Sequence, residues 1–369
     1  MGKLDKDLHQ KENAIRFCIL TGQLPFLEVI VQNKRELSDT STIVTDIDVL
    51  GLLIDGSGEL KRVIFDCKTL SKTSPINRTF WASGLMKYTN CDEAFIILNK
   101  KASEAHRLTA KSLNVHLFNN RQFSNYAESH SLDYNTDYCY STAITNWESL
   151  FDVYSNASQF EKFGSYINNE IPLETDPARG IRRLLAALLK GKGEFDPEKP
   201  AHHTVFQQVL MTFSYLMSLI VHDLKKVIDF DSDKKEFEKI LRYYMWGGRD
   251  AFKQKQKMSE LFASKNHKME EIELELREWS LFVELIRKLL DSPLDIFKCC
   301  FPTLEISLRN IVKRVEDKDL FLAKTISSSN RIRQFLLLQA RYLTKAAKLP
   351  HEFDLKISTT LDELIHVEP

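Results

Sequence analysis

The strongest constraint in this sequence is a pair of apolar segments separated by one short turn. Residues 43–54 and 60–67 are both rich in β-branched and apolar side chains. Between them, residues 55–58 read Asp-Gly-Ser-Gly, which is a strong turn signal. The pattern predicts a β-hairpin whose turn is centred near Ser57.

Two acidic residues are placed symmetrically about this turn. Asp48 lies nine positions before Ser57 and Asp66 lies nine positions after it. In a regular antiparallel hairpin, such positions face each other with Cβ atoms about 4.5–5.5 Å apart. Side chains alternate between faces, so Lys68 shares a face with Asp66 and Asp46 shares one with Asp48. A bulge at the glycines would shift this register by one residue, which is the alternative arrangement.

Two carboxylates and one ammonium group at one end of a hairpin indicate metal chemistry. Like charges so close together repel each other, and their burial near an apolar sheet costs free energy. A divalent cation such as Mg²⁺ removes that cost, because it prefers oxygen ligands. It also acidifies bound water and neutralises phosphate charge, while Lys68 orients the nucleophile or stabilises the developing negative charge. The alternative is a surface hairpin on which Asp66 and Lys68 are merely solvated.

The segments around the hairpin predict an α/β unit. Residues 8–36 have helical patterns that are broken at Thr21-Gly22 and at Pro25. After the hairpin, the sequence predicts a helix, a strand, a helix and a final strand at residues 75–88, 94–98, 102–112 and 115–118. This order is typical of a mixed sheet flanked by helices.

The hairpin also carries a family resemblance. Residues 45–51, TDIDVLG, followed by residues 63–68, VIFDCK, resemble the PD-(D/E)xK nuclease superfamily, which includes the restriction endonucleases. The resemblance implies an α/β restriction-endonuclease-like core that hydrolyses phosphodiester bonds with Mg²⁺ or Mn²⁺, with DNA favoured over RNA. It covers about the first third of the chain.

The resemblance also implies roles for individual residues. Asp48 and Asp66 would bind the metal, Lys68 would be catalytic and Asp46 would be an accessory acid. Many relatives place a glutamate on the first helix, and Glu28 is the natural candidate here, as a third metal ligand. Glu12 is the weaker candidate for that position.

The rest of the chain has a different character. Residues 119–145 are rich in Asn, Ser, Tyr and Asp, and from about Trp147 the pattern becomes helical, with candidate helices that include 203–225, 234–262 and 303–317. The sequence therefore predicts three parts, namely a nuclease-like domain at 1–120, a linker or irregular segment at 121–145 and an all-α domain at 146–369.

Charge gives weaker guidance. Lys+Arg and Asp+Glu both number 51, so any basic surface for nucleic acid must be local. Arg78 begins a helix whose N-terminus favours anions, and further candidate backbone contacts are Lys100, Lys101 and Arg107. Solvated surface charge is the alternative for each of these residues.

The remaining features bear on location and partners. The polar N-terminus lacks a signal-peptide pattern and the six cysteines form no CxxC pair, which predicts a cytoplasmic protein. Residues 205–221 are apolar but contain polar side chains, as in a buried core helix rather than a membrane span.

Taken together, the hairpin and the resemblance lead us to expect an endonuclease that acts on nucleic acid. Its helical domain would serve substrate selection, dimerisation or regulation by a partner subunit, as in microbial or phage defence. The alternative is a non-catalytic nucleic-acid-binding or scaffold protein on a nuclease-like fold.

Overall fold

A computed structural model describes residues 7–33, 42–68, 74–229, 233–265 and 274–366 of the chain. They divide into two compact units. Among the described residues, unit 1 comprises 7–173 and 304–322, and unit 2 comprises 174–303 and 323–366. The sequence-based domains divide the chain differently, at residues 120 and 145, and assign all of the C-terminal part to one domain.

Unit 1 begins with a mixed α/β arrangement. Its elements up to residue 128 are α1 Leu8–Leu20, β1 Leu24–Gln32, β2 Ile43–Ile54, β3 Leu60–Lys68, α2 Pro75–Thr89, β4 Glu93–Leu98, α3 Glu104–Lys111, β5 Val115–Asn119 and α4 Asn120–Glu128. The five strands form one sheet in the order β1-β2-β3-β4-β5. β1, β2 and β3 pair antiparallel, while β3, β4 and β5 pair parallel, so the predicted mixed sheet flanked by helices is confirmed.

The hairpin turn holds the predicted register. One oxygen of the Asp55 carboxylate accepts hydrogen bonds from the backbone N–H groups of Ser57 (2.9 Å) and Glu59 (3.0 Å). Gly58 adopts a φ of +86°, which a residue with a side chain rarely adopts. Strands β2 and β3 then pair without a bulge from Ile54 to Val49, so the shifted alternative does not occur.

β1 corrects the helical prediction for this stretch. Gly22, with a φ of +74°, follows α1, and the chain then enters a strand from Leu24 to Gln32. Pro25, which signalled a helix break, is accommodated because β1 is an edge strand of the sheet. Apolar residues 29–31 are β-branched and favour the extended conformation, and pairing with β2 outweighs the helical periodicity.

An aromatic core lies between the sheet and two helices. Phe17 of α1 contacts Phe65 of β3 and Phe123 of α4, at ring-centroid distances of 6.0 and 5.6 Å. Phe65 stacks on Phe95 of β4 at 5.2 Å. Burial of these large rings anchors α1 and α4 against the central strands, and it fixes where α1 presents its polar side chains.

The remainder of unit 1 is helical. It contains α5 Ile144–Ser155 and α6 Ser158–Ser165, with short 3₁₀ segments at Leu132–Asn135, Tyr140–Thr142 and Ile171–Leu173 and a π-helical turn at Tyr166–Glu170. The helices α13 Cys300–Arg309 and α14 Glu316–Ser327 contain residues of both units. A single helix over 303–317 was therefore a wrong prediction, since α13 ends at Arg309 and α14 begins at Glu316.

Unit 1 also buries a group of polar side chains around Tyr140. This group is here called the Asp319 cluster and includes Glu305, Arg309 and Asp319. The Arg309 guanidinium donates to both carboxylate oxygens of Asp319, at 2.7 and 2.8 Å, and the Tyr140 hydroxyl donates to the same carboxylate at 2.7 Å. The Glu305 carboxylate accepts the backbone N–H groups of Tyr140 (2.5 Å) and Ser141 (3.1 Å). Burial raises the pKa of Glu305 to about 7, against the effect of these donors.

Unit 2 is helical throughout its described residues. Its remaining helices are α7 Pro177–Gly191, α8 Pro200–Lys225, α9 Lys234–Met245, α10 Arg249–Lys265, α11 Trp279–Leu290, α12 Pro293–Phe297, α15 Asn330–Ala347 and α16 Glu352–Ile365. The predicted helix 234–262 is divided in two, because Gly247 and Gly248 adopt φ values of +85° and +103°. The α/β core followed by a largely helical part is confirmed.

α8 is the central helix of unit 2. It contacts α7, α11, α12, α15 and α16. Within the described residues it alone is long and apolar enough to cross a membrane by length and composition, and 94% of its most apolar window is buried in this fold. The burial agrees with the predicted core helix at this position.

Candidate active site at the end of the hairpin

The structure brings together the three side chains that the hairpin spacing predicts to meet. In β2 and β3, Val49 pairs with Phe65, so the next positions outward are Asp48 and Asp66. The Lys68 Nζ atom donates to Asp48 Oδ2 at 2.9 Å and lies 3.3 Å from Asp66 Oδ1. Two carboxylates and one ammonium group therefore converge at the end of the hairpin.

The two aspartates are buried, and burial governs the protonation of Asp48. Asp48 and Asp66 are 6% and 2% exposed. Burial raises the pKa of Asp48 to about 6, although Lys68 and the backbone N–H of Cys67, which donates to Asp48 at 2.7 Å, oppose the shift. At neutral pH Asp48 is thus mainly ionised and available as an oxygen ligand.

Lys68 stays protonated in this environment. Burial alone would lower the pKa of its ammonium group, but the adjacent carboxylates of Asp48 and Asp66 outweigh that effect and raise the pKa above its ordinary value. Lys68 is therefore a fixed positive charge and hydrogen-bond donor. It is unsuited to act as a general base near neutral pH.

Arg78, which the sequence offered only as a weak nucleic-acid contact, lies at the same site. Its guanidinium donates to both carboxylate oxygens of Asp66, and it lies over the Trp81 ring, 3.4 Å from the ring centroid. Both residues belong to α2, the helix that follows β3. The helix between β3 and β4 thus places a cation, Arg78, next to Asp66 at the end of the hairpin.

Lys11 is the site residue that the sequence reasoning missed. Its ammonium group pairs with Glu28 and lies 3.9 Å from Asp48 Oδ1, while its side chain is only 4% exposed. Lys11 falls at helical spacing from the buried apolar residues Ala14, Ile15 and Cys18 of α1. A lysine within the buried stripe of a helix is the sequence signal that could have identified it.

Glu28 reaches the site from a strand, so its expected place on a first helix is wrong. It lies in β1 between the pairs Leu27–Val49 and Val29–Ile47, which puts it across from Asp48. Its φ of +52° is left-handed, and holding a residue with a side chain in that conformation costs about 1–3 kcal/mol. The other candidate, Glu12, lies on α1 but accepts the backbone N–H of Ile144 at 3.2 Å.

The remaining predicted residues lie outside this cluster. Asp46 is exposed on β2, where it pairs with Ile30 of β1. Lys100 and Lys101 are exposed after β4, and Arg107 is half-buried in α3. Within the described parts of the chain, none of these four side chains forms an ion pair with Asp48, Asp66 or Lys68.

The six charged side chains of the site, here called the carboxylate cluster, balance one another. The acids are Glu28, Asp48 and Asp66, and the cations are Lys11, Lys68 and Arg78. Among the residues described, no group of three or more His, Cys, Asp or Glu side chains is arranged to hold a metal ion. A divalent ion would therefore have to take the place of a cation already present.

Asp48 and Asp66 share one cation. Asp48 Oδ2 and Asp66 Oδ1 lie 2.9 and 3.3 Å from the Lys68 ammonium nitrogen, so a divalent ion held by both aspartates would have to displace Lys68. The two oxygens would then have to lie within about 4.2 Å of each other, because each Mg–O distance is about 2.1 Å. Nearby, Gln10 donates to the Lys68 carbonyl oxygen at 3.4 Å, while its own buried Oε1 has no hydrogen-bond partner in the part of the chain that the structure describes.

Comparisons with protein-family models, with curated proteins and with solved structures found no match to this chain. The geometry and electrostatics of the carboxylate cluster are therefore the basis for inferring a function.

Proposed function

We propose that the α/β part of this chain is a metal-dependent nuclease of the restriction-endonuclease-like kind, which hydrolyses phosphodiester bonds of nucleic acid, with DNA favoured. The observation that carries the proposal is the position of the Lys68 ammonium group between two buried carboxylates, 2.9 Å from Asp48 and 3.3 Å from Asp66. Buried like charges are costly unless a cation joins them, and this arrangement puts them at the open end of a hairpin.

In this proposal, Asp48 and Asp66 would hold one Mg²⁺ or Mn²⁺ ion. Such an ion would acidify a bound water and neutralise charge on the scissile phosphate. Water then adds across the P–O bond, so that one product keeps the phosphate and the other leaves with a hydroxyl group. Cys67 N–H fixes Asp48 for this task, since it donates to the carboxylate at 2.7 Å.

The cations of the cluster have separate roles in the proposal. Lys68 and Arg78 are 25% and 21% exposed, so their long side chains can move from the aspartates to phosphate oxygens. There the protonated Lys68 would stabilise the charge that develops during cleavage. Lys11 is buried and paired with Glu28, so it would stay in place and offset part of the negative charge of the acids that hold the ion.

A cleavage assay tests the proposal. Full-length protein with Mn²⁺ should cut single-stranded or duplex DNA, and the chelator EDTA should stop it. Lys68→Ala should lower the rate by at least about 100- to 1000-fold, the usual loss when one stabilising group is removed. Lys61→Ala is the matched control, because Lys61 is an exposed lysine of the same strand and its loss should leave the rate unchanged.

A second candidate function is binding of nucleic acid without catalysis. The charge balance of the carboxylate cluster favours it, because three acids already paired with three cations do not require an ion. This candidate predicts that wild-type protein binds nucleic acid but cuts neither DNA nor RNA with Mg²⁺ or Mn²⁺. Cleavage that is equal in wild type and Lys68→Ala would contradict both candidates.

The roles of the other parts of the chain extend the proposal. We infer that the helical part selects substrate, forms a homodimer or responds to a partner subunit, in a cytoplasmic system such as microbial or phage defence. Cleavage of both strands of a duplex would be explained most simply by a dimer, because one such site cuts one strand.

A further inference from the structure

Glu28 stands out in the carboxylate cluster because its backbone is strained. Among the residues of the described strands, only Glu28 has a positive φ, at +52°. The pairs on either side of it, Leu27–Val49 and Val29–Ile47, keep the same register, so no residue is inserted at this point of β1. Such strain persists only where the surrounding structure imposes it, and it is concentrated at functional sites. The cause must lie in the contacts that flank Glu28.

Two adjacent asparagines make those contacts. Asn168 and Asn169 belong to the π-helical turn of unit 1, which packs beside β1. Asn168 Nδ2 donates to the Leu27 carbonyl oxygen at 2.9 Å, and the Ile30 N–H donates to Asn169 Oδ1 at 3.0 Å. The two amides are joined as well, because Asn168 Nδ2 donates to Asn169 Oδ1 at 3.3 Å. This asparagine pair thus binds the backbone of β1 both before and after Glu28.

The two hydrogen bonds to β1 require an irregular strand. In a regular antiparallel strand, backbone groups three residues apart point to opposite edges. The Leu27 carbonyl and the Ile30 N–H nevertheless reach the same asparagine pair. The left-handed conformation of Glu28, which lies between them, allows this. Loss of either asparagine should therefore let Glu28 relax towards the extended conformation.

The turn that carries the asparagine pair is anchored on both sides. Tyr166 and Ile167, directly before the pair, are buried. After the pair, the Pro172 carbonyl oxygen accepts a hydrogen bond from Arg62 Nε at 2.9 Å, and Arg62 lies on β3, the strand that carries Lys68. π-helical turns of this kind are frequent at functional sites. An anchored turn can impose a conformation on the edge strand β1.

We propose that Asn168 and Asn169 are positioning residues of the carboxylate cluster, which hold Glu28 in the left-handed conformation and so keep its carboxylate on Lys11. Glu28 lies across from Asp48, and two carboxylates that face each other in a regular strand pair repel. The turned backbone gives the Glu28 side chain another direction, and Lys11, paired with it, lies 3.9 Å from Asp48 Oδ1. The proposal rests on the nuclease function proposed above, because a Lys11 held by Glu28 competes less with a metal ion for Asp48.

Closure of the open edge of β1 is the alternative role for the asparagine pair. An edge strand leaves backbone N–H and C=O groups unpaired, and side chains can satisfy them. That role needs the hydrogen bonds but no left-handed residue between them. It predicts that loss of an asparagine lowers stability while Lys11 and metal binding stay unchanged.

The reactivity of Lys11 tests the proposal without any metal. The Lys11 side chain is 4% exposed, so its acetylation by acetic anhydride in EDTA, followed by mass spectrometry of the full-length protein, should be slow. Asn168→Ala and Asn169→Ala should each raise that rate at least about fivefold, the population shift that matches release of such backbone strain. Asn146→Ala is the matched control, because it removes an asparagine bond of 2.7 Å to the Tyr140 carbonyl and should leave the Lys11 rate unchanged.

Conservative substitutions separate the two asparagines. Asn169 accepts the Ile30 N–H, so Asn169→Asp keeps this bond and should restore the slow Lys11 rate of wild type. Asn168 donates to the Leu27 carbonyl, so Asn168→Asp loses its bond and should react as fast as Asn168→Ala. Unfolding temperatures of all variants check that the folded state is retained.

Metal affinity measures the consequence for the site. In titration calorimetry of the full-length protein, Asn168→Ala and Asn169→Ala should each bind Mn²⁺ about tenfold more weakly, the lower end of the usual loss when a residue that orients a metal site is removed. Glu28→Gly removes the carboxylate and keeps a residue that adopts a positive φ freely. In that background, loss of either asparagine should change neither Mn²⁺ affinity nor the Lys11 rate further.

Two results would overturn the proposal. One is a Lys11 rate equal to wild type in both alanine variants. The other is an equally large effect of these variants in the Glu28→Gly background, which would show that the asparagines do not act through Glu28. If the Lys11 rates change as expected but wild type neither binds Mn²⁺ nor cuts, only the nuclease proposal fails. If wild type cuts with Mn²⁺ while the Lys11 rates stay equal, only the asparagine proposal fails.

Discussion

Two ionic clusters of unit 1, the Asp319 cluster and the carboxylate cluster, differ in their access to solvent. In the Asp319 cluster, the side chains of Arg309 and Asp319 are 4% and 12% exposed, and Asp319 also accepts a hydrogen bond from the Tyr140 hydroxyl. In the carboxylate cluster, the acids Asp48 and Asp66 are as deeply buried, but the cations Lys68 and Arg78 are 25% and 21% exposed. The Asp319 cluster is therefore closed to solvent, whereas the cations of the carboxylate cluster are partly exposed.

The difference separates a structural role from a chemical one. A closed ion pair has its partners fixed, so it contributes to the stability and specificity of packing and offers nothing to a ligand. Under the proposed function, the buried Asp48 and Asp66 would exchange the more exposed cations for a metal ion, and the released cations would bind a phosphate. Both clusters are rich in charge, so solvent access of the cations, rather than the count of charges, distinguishes them.

The largest expected difference between the clusters is in catalysis. Asp66→Asn should lower cleavage by about 10³-fold or more, because a metal ion contributes several kcal/mol to stabilisation of the transition state. Asp319→Asn removes the same charge from the closed cluster and should leave the rate per folded molecule unchanged. Initial rates with Mn²⁺, taken where circular dichroism shows both variants folded, compare them. If both variants lost the same fraction of their cleavage rate, the two clusters would not differ in their contribution to catalysis.

The loss of folding stability should be larger for Asp319→Asn than for Asp66→Asn. Asp319→Asn should cost about 3–5 kcal/mol of unfolding free energy, because it removes the carboxylate charge that pairs with the buried Arg309 guanidinium. Asp66→Asn should cost less, since Lys68 and Arg78 can turn towards solvent. Urea unfolding followed by tryptophan fluorescence measures both. If Asp66→Asn proves the more destabilising, the carboxylate cluster is the structural one.

The closed cluster should also make stability depend on pH. The folded-state pKa of Glu305 is about 7, above its ordinary value of 4.5, so the folded chain binds this proton more tightly than the unfolded chain. Its contribution is fully present below pH 4.5 and is lost as pH rises to about 7, by about 1.4 kcal/mol per unit. Unfolding free energies of wild type and Glu305→Gln at several pH values should diverge over that window. A constant difference between them would contradict the assignment.

A smaller effect is expected for metal affinity at Lys11. Lys11→Met should bind Mn²⁺ about tenfold more tightly, because charges about 4 Å apart interact by about 4 kcal/mol at an effective dielectric constant of 20 and rearrangement offsets much of this. Titration calorimetry measures the affinity, and Lys61→Met is the exposed control. Weaker binding would show that Lys11 positions Asp48 rather than opposing the ion.

Local sequence patterns predicted most of the site. The turn at residues 55–58 and the equal spacing of Asp48 and Asp66 from it were enough to place both carboxylates and Lys68 together, because hairpin register follows from turn geometry. Helix-start signals likewise located α2 and therefore Arg78. What the sequence did not supply was that Arg78 would turn back onto Asp66, since that depends on how α2 lies against the sheet.

Long-range contacts account for the errors. Residues 24–32 have a helical pattern, but pairing with β2 made them a strand, and Glu28 then entered the site with a left-handed backbone. Residues 304–322 looked like part of the helical domain, yet Glu305 and Asp319 pack around Tyr140 in unit 1. No local pattern predicts such contacts, because the energy that favours them comes from residues distant in the chain.

By itself, the sequence determined the hairpin and favoured the meeting of Asp48, Asp66 and Lys68, because turn chemistry and side-chain alternation act over a few residues. The observed pairing of β2 with β3 then excluded the shifted register. The tertiary structure alone decided that Lys11 would be buried behind them and that the acids would be balanced by three cations. Burial depends on which elements cover a side chain, and charge balance depends on which groups those elements bring within reach.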